Sequence, residues 1–212
     1  MHHNLDAPAI PKYNTFSKTS ESEFKVKNSK FVCFGACVSS ESEIHDILKS
    51  RKTICFSAKR HVYAYNLLNN KFKACDDGEP KNSSGAPILT IITLAKLKNI
   101  IIIISRYFGG TLLGIGGLIK AYTQGAQLTI KNSEIKIMTL CTVFEINFDY
   151  DVSSVIFNLL NLFNIKILRK NYDMKIKLKC YCPEENFSNF EYKISEVSHG
   201  DLKLNLLAYE YY

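Results

Sequence analysis

Hydrophobic positions along this chain recur with a period of two in some stretches and near 3.6 in others, and the changes of period mark the elements. Phe24 and Val26, then the run Phe31-Val32-Cys33-Phe34-Gly35-Ala36-Cys37-Val38, predict a hairpin or two consecutive strands. Ser40 followed by Glu43 is a capping-box pattern, and Ile44, Ile47 and Leu48 give the helix after it one apolar face. His61 to Leu68 alternates, with Val62, Ala64 and Asn66 against Tyr63, Tyr65 and Leu67, and reads as a strand. Asn69-Asn70 suits a turn into a short strand, Lys71 to Cys75. The segment Cys75 to Pro87, CDDGEPKNSSGAP, is a loop by its turn residues. Pro87 suits the first turn of a helix through Ile88, Ile91, Leu94, Ala95 and Leu97, and Asn99 breaks it. Ile100 to Ile104 is apolar at every position, as a central strand buried on both faces requires. The glycine-rich SRYFGGTLLGIGG follows as a turn, and Leu118 to Ile130 as an amphipathic helix.

The second half repeats a simpler rhythm. Ile137 to Phe148 predicts a strand, and Asp151 a cap for a helix carrying Val155, Ile156, Leu159, Leu160 and Phe163. Ile165–Leu168 and Met174–Cys182 predict two strands joined near Asn171. Pro183 opens a helix through Phe187, Phe190, Ile194 and Val197, Gly200 ends it, and Leu202–Tyr209 is a last strand. The order βαββαβ is the ferredoxin-like split βαβ. The expectation is an α+β protein of two domains, 19–136 and 137–212, after a loose polar tail reaching about Lys18.

Composition narrows the class. With 46% hydrophobic and 22% charged residues the chain is globular rather than disordered. Its longest aliphatic run is far shorter than a bilayer span, and the first residues lack the apolar core of a secretion signal. No membrane association is expected. The seven cysteines match neither a zinc knuckle nor a CxxC pair and read as reduced, buried thiols, which implies the cytoplasm. Net charge is +7, but residues 1–136 carry +9 and residues 137–212 carry −2. A basic half beside a near-neutral half points the first domain at a polyanion, and RNA binding is expected of the first half alone.

The candidate chemistry lies in that half. Gly109, Gly110, Gly114, Gly116 and Gly117 fall between a strand and a helix, the arrangement that presents free amides to an anion. A dinucleotide fingerprint fails at Ile119, and a phosphate-cradling Walker loop fails at Ile115. Arg106 before the glycines and Lys120 inside the helix remain as phosphate contacts; tight helix–sheet packing explains the glycines equally well. Asp76, Asp77 and Glu79 could hold Mg²⁺ or move protons, but Asp-Gly and Glu-Pro are ordinary turn chemistry. They are expected to hold amides or a basic side chain such as Arg60 or Arg106, with no metal and no cofactor. His61 sits beside Lys59 and Arg60. Tyr63, Tyr65, Tyr107, Phe108 and Tyr122 interleave with the cations, as single-stranded nucleic acid favours.

RYFGGTLLGIGGLIKAY at Arg106–Tyr122, with DDGEP at Asp76–Pro80 followed by Gly85 and Pro87, resembles the signatures of the IMPACT/YigZ family, bacterial two-domain type. The strand His61…Ala64-Tyr65 and the segment Lys27-Asn28-Ser29-Lys30-Phe31 are similar to its upstream motifs. Cys75 stands where a serine commonly precedes DDGEP. The resemblance implies an N-terminal α+β domain like domain IV of translocating elongation factors, of a ribosomal-protein-like superfamily, followed by a ferredoxin-like domain. Eukaryotic members regulate translation initiation through a further N-terminal module, and that mechanism is not carried over to these 212 residues. The functional expectation is a nonenzymatic, translation-associated regulator that binds RNA or the ribosome, with a protein partner in translation control. Its site would comprise Lys59, Arg60, His61, Arg106, Tyr107, Gly109, Gly110, Gly114, Gly116, Gly117 and Lys120, beside the motif loop Asp76, Asp77, Gly78, Glu79 and Pro80. The alternative is an enzyme acting on a phosphorylated or peptide substrate through Asp76, Asp77, Glu79 and His61.

Overall fold

The computed structural model describes residues 10–212. The first residues, in which no secretion signal is expected, lie outside them. The chain forms two compact units, one of residues 13–137 and one of residues 138–212 together with residues 10–12.

The first unit is an antiparallel five-stranded sheet in the order β2-β3-β6-β4-β5. Its strands are β2 (Ser20–Val26), β3 (Ser29–Cys37), β4 (Arg60–Asn66), β5 (Phe72–Cys75) and β6 (Ile100–Tyr107). The helices are α1 (Glu41–Ile54), α2 (Gly85–Leu94) and α3 (Gly114–Lys131). The all-apolar run on β6 is explained by helices on both faces. Ile100, Ile102 and Ile104 pack with Ile88 and Ile92 of α2 and with Leu118, Ala121, Tyr122 and Ala126 of α3. Ile101 and Ile103 pack with Ile44 of α1 and with Tyr65 and Leu67. Each buried isoleucine contributes roughly 1.5–3 kcal/mol by leaving water, so this strand anchors the unit. Ser40 caps α1 by accepting from Glu43 N at 3.2 Å, but Glu43 reaches back to Ser39 N at 2.8 Å, one residue before the cap.

The second unit pairs β7 (Ile135–Phe148), β8 (Lys166–Tyr172), β9 (Ile176–Pro183) and β10 (Asn205–Tyr211) in the order β10-β7-β9-β8. That is the strand order of a split βαβ unit. Helices α4 (Ser153–Leu162) and α5 (Glu184–Val197) share one core with one sheet face. Phe144, Ile146, Phe148, Ile176, Leu178, Cys180 and Cys182 meet Ile156, Leu160, Phe190 and Ile194 there.

Four expectations are corrected. The tail is not loose to Lys18: Lys12–Phe16 form β1, which pairs with β7, and Leu140 N donates to the Pro11 carbonyl at 2.8 Å. Helix α3 starts at Gly114, a turn before Leu118, so Gly114, Gly116 and Gly117 belong to its first turn. Asp151 does not cap α4; it bonds Val152 N at 2.8 Å inside a short 3-10 turn, Tyr150–Val152, and the helix begins at Ser153. Strand β8 runs on to Tyr172, through the turn placed near Asn171.

Candidate nucleic-acid interface

The motif loop is held by its own carboxylates. Asp76 accepts from the amides of Asn82, Ser84 and Gly85 at 2.8, 3.0 and 2.8 Å. It therefore caps the N-terminus of α2 from nine residues away, while Ser84, at the cap position, makes no side-chain cap bond. Asp77, at φ 46°, accepts from His61 N at 2.6 Å and ties the loop to β4. Gly78 follows at φ +83°, and a Cβ there would come within 3.0 Å of the Arg60 guanidinium. Glu79 reaches inward: one oxygen accepts from Arg106 Nη1 at 2.8 Å and from Tyr122 OH at 3.0 Å. Glu79 and Arg106 are each 7% exposed. Burial and the neighbouring Glu79 carboxylate push the Tyr122 hydroxyl far above its ordinary pKa, so it remains a donor.

Strand register then sorts the candidate residues by face. Arg60 on β4 lies directly beside Arg106 on β6, and Phe31 on β3 lies beside Arg106 on the other side. Arg106 shares the face of Ile102 and Ile104, toward α2 and α3. Lys59 joins the pair by donating its amide to the Arg106 carbonyl at 2.9 Å. His61 and Tyr107 belong to the opposite face. His61 Nδ1 lies 3.0 Å from Ser105 Oγ, and burial lowers its pKa, so the ring is neutral at pH 7. The Tyr107 hydroxyl engages Cys55 at the end of α1, which raises its pKa. Two residues expected beside the glycines are thus turned away from them by the two-residue period of their strands.

On the α2/α3 face, Lys59, Arg60, Glu79, Arg106, Phe108 and Leu112 line a cavity of about 140 Å³. Three cations face one carboxylate. Phe108 lies over two of them, with its ring centroid 5.5 Å from Lys59 Nζ and 5.6 Å from Arg106 Cζ. Arg106 Nη2 and Gly109 N both reach Ser29 Oγ, at 3.4 and 3.3 Å. Arg106 Nε is buried with no partner among the described residues. An unpaired buried donor is costly, and the Glu79 carboxylate held against the same guanidinium offsets part of that cost.

The glycines divide by role. Gly109 is a packing glycine, since a Cβ would run into the Asn28 carbonyl. Gly110 and Gly114 have φ of +83° and +71° with open space around them, so the turn between β6 and α3 needs them for conformation. Gly116, Gly117 and Lys120 are not among the residues that line this cavity, and Lys120 is exposed on α3. Sequence reasoning missed Leu112, which is 80% exposed at the rim, and the anchoring roles of Ser29 and Tyr122. Ser29 was marked by its motif, but not its partner. Among the described residues no group of three or more His, Cys, Asp or Glu is placed to hold a metal ion. No described helix is long and apolar enough to cross a membrane.

Comparison with known proteins adds the family. The Impact N-terminal domain matches residues 27–130, and a domain of unknown function (DUF1949) matches residues 146–201. The chain is 28% identical over 201 residues to the IMPACT family member YvyE of Bacillus subtilis (strain 168), covering 93% of each. It is 31% identical over 184 residues to the IMPACT family member YigZ of Escherichia coli (strain K12), covering 85% of this chain and 90% of the relative. A solved crystal structure of a hypothetical protein has the same fold, with a TM-score of 0.66 at 24% identity over 93% of this chain and 98% of that one.

Proposed function

The chain belongs to the IMPACT family, which the motif resemblance ties to translational control, and on that premise we propose that it is a nonenzymatic, translation-associated regulator that binds RNA, on or off the ribosome, through the Lys59–Arg60–Arg106 cleft. The observation that carries this reading is the cavity's charge: Lys59, Arg60 and Arg106 around the single carboxylate of Glu79, under the Phe108 ring. Cations with an adjacent aromatic face are what an RNA backbone and an unstacked base both require. The roles within the site differ. Arg106 is a fixed donor, aligned by Glu79 and Ser29, whereas Lys59 and Arg60, which line the cavity beside it, are the phosphate contacts. Tyr122, Asp76 and Asp77 hold this geometry and touch no ligand themselves.

The enzymatic alternative, through Asp76, Asp77, Glu79 and His61, has less support from the contacts these side chains make. Asp76, Asp77 and Glu79 are committed to amides, a guanidinium and a phenol, and Ser105 beside His61 is buried at 1% exposure. The free state of all seven cysteines, most of them buried, suits the reducing cytoplasm. A protein partner in translation control is part of the same proposal.

Fluorescence anisotropy with a labelled single-stranded RNA tests the reading. Log affinity should fall linearly with log salt, and Lys59→Ala with Arg60→Ala should reduce the slope by about 0.7 per cation removed. An unchanged slope and affinity in that double variant would remove the cleft from the account.

A further inference from the structure

The net charge of −2 over residues 137–212 conceals a separation of charge. Between residues 166 and 179 six basic residues stand against one acidic; between 184 and 201 five acidic stand against one basic. The first segment is the β8–β9 hairpin, and the second is α5 with the turn after it. On β9, Ile176, Leu178 and Cys180 point into the core under α4 and α5. Lys177, Lys179 and Tyr181 therefore stand on the opposite, open face. Register sets Arg169 beside Lys179 on one side and Glu145 beside it on the other. With Asn171 and Lys177 these residues line a concavity of about 220 Å³.

Glu145 pairs with Lys177 at 3.0 Å, which leaves Arg169 and Lys179 without an ion-pair partner among the described residues. One strand step beyond Lys179, Tyr181 stacks on Tyr212 with ring centroids 4.0 Å apart and planes 15° from parallel. Two unpaired cations beside an aromatic stack on an open sheet face are the elements by which single-stranded RNA is held: phosphates on the cations, a base continuing the stack. An acidic peptide would use the cations and leave the stack idle, and a lipid surface is flat where this site is concave.

We propose that the open face of the second sheet is a further binding surface for single-stranded RNA, with Arg169 and Lys179 as phosphate contacts and the Tyr181–Tyr212 stack as a base platform. This goes beyond the cleft of the first unit and does not depend on it.

The test uses the full chain, a labelled oligouridine and anisotropy at graded salt. Arg169→Ala with Lys179→Ala should weaken binding about tenfold or more at low salt and reduce the log–log slope by about 1.4, two cations at roughly 0.7 each. Tyr181→Leu should weaken it about five- to tenfold with the slope unchanged, because stacking carries no charge. The charge-retaining pair Arg169→Lys with Lys179→Arg should keep wild-type slope, which separates charge from fold, and circular dichroism melts check each variant. Wild-type slope and affinity in the double alanine variant would overturn the proposal, even if the Lys59/Arg60 variant still loses binding and so sustains the cleft. Equal binding of polyglutamate, or of phosphatidylserine vesicles, that the double alanine variant also loses would overturn it too, by showing a surface for polyanions in general.

Discussion

At the end of the first sheet Arg60 and Arg106 sit on neighbouring strands, and Arg106 is met by a buried carboxylate from the motif loop, which also takes a bond from a tyrosine of α3, and by a serine of β3. On the second sheet Arg169 and Lys179 are also strand neighbours, and the only carboxylate on that rung, Glu145, turns to Lys177 at the surface. Of the first pair, Arg106 is held buried beside the Glu79 carboxylate, where position is fixed and loss of the partner is expensive. The second pair stands in water, where it is cheap to keep and cheap to remove. The sum of charges in each half, +9 and −2, predicts neither arrangement. What decides availability is which strand face a cation occupies and whether a carboxylate has been folded in beside it.

That contrast makes graded predictions. Glu79→Ala should be the most damaging single change, since it leaves Arg106 charged and buried; about 3–5 kcal/mol should be lost in denaturant unfolding. Asp76→Ala should cost about 1–2 kcal/mol, because three amides at the start of α2 lose their acceptor and the side chain is only half buried. Glu145→Ala, the corresponding cut in the second sheet, should cost under about 1 kcal/mol, because its lysine partner remains in water when the pair is broken. A value for Glu145 equal to that for Glu79 would erase the distinction between the two sheets.

Acid should act on the first unit through His61. Its pKa is lowered by burial, with Asp77 opposing, so the unfolded chain takes up the proton more readily than the folded one. The stability tied to the neutral ring is complete above about pH 6.5 and is lost as pH falls through the folded value. His61→Gln should flatten the denaturation midpoint over that window, and a profile identical to wild type would show that the ring is not the titrating group. The smallest effect is chemical: exposed Cys37 should be labelled by a thiol reagent well before Cys33, whose pKa burial pushes up to about 11.

Much of this architecture was legible because it is local or periodic. The isoleucines of β6, the alternation on β4 and the βαββαβ rhythm each report which faces are covered. What escaped is carried by contacts distant in sequence. β1 looked like a polar tail because its partner strand lies more than a hundred residues on. Asp76 holds amides as expected, but that they include the first of α2 was hidden, because that helix begins nine residues later. The start of α3 was misplaced because its first turn carries three glycines, poor helix formers that tertiary context overrode. At the site, Arg106 was marked by sequence but its burial was not, since an arginine near a strand end usually reaches solvent. Applying the alternation of Ile102 and Ile104 to it would have placed it correctly, and would have turned His61 and Tyr107 to the other face.

The central claim is that RNA occupies the cleft of Lys59, Arg60 and Arg106 beneath Phe108. Photocrosslinking of the full chain to 4-thiouridine RNA, followed by mass spectrometry of the adduct peptides, tests it most directly. The account predicts adducts on the peptide that contains Phe108, reduced several-fold in the Lys59→Ala, Arg60→Ala variant. Adducts concentrated on α1 or α5, with none at Phe108, would contradict it.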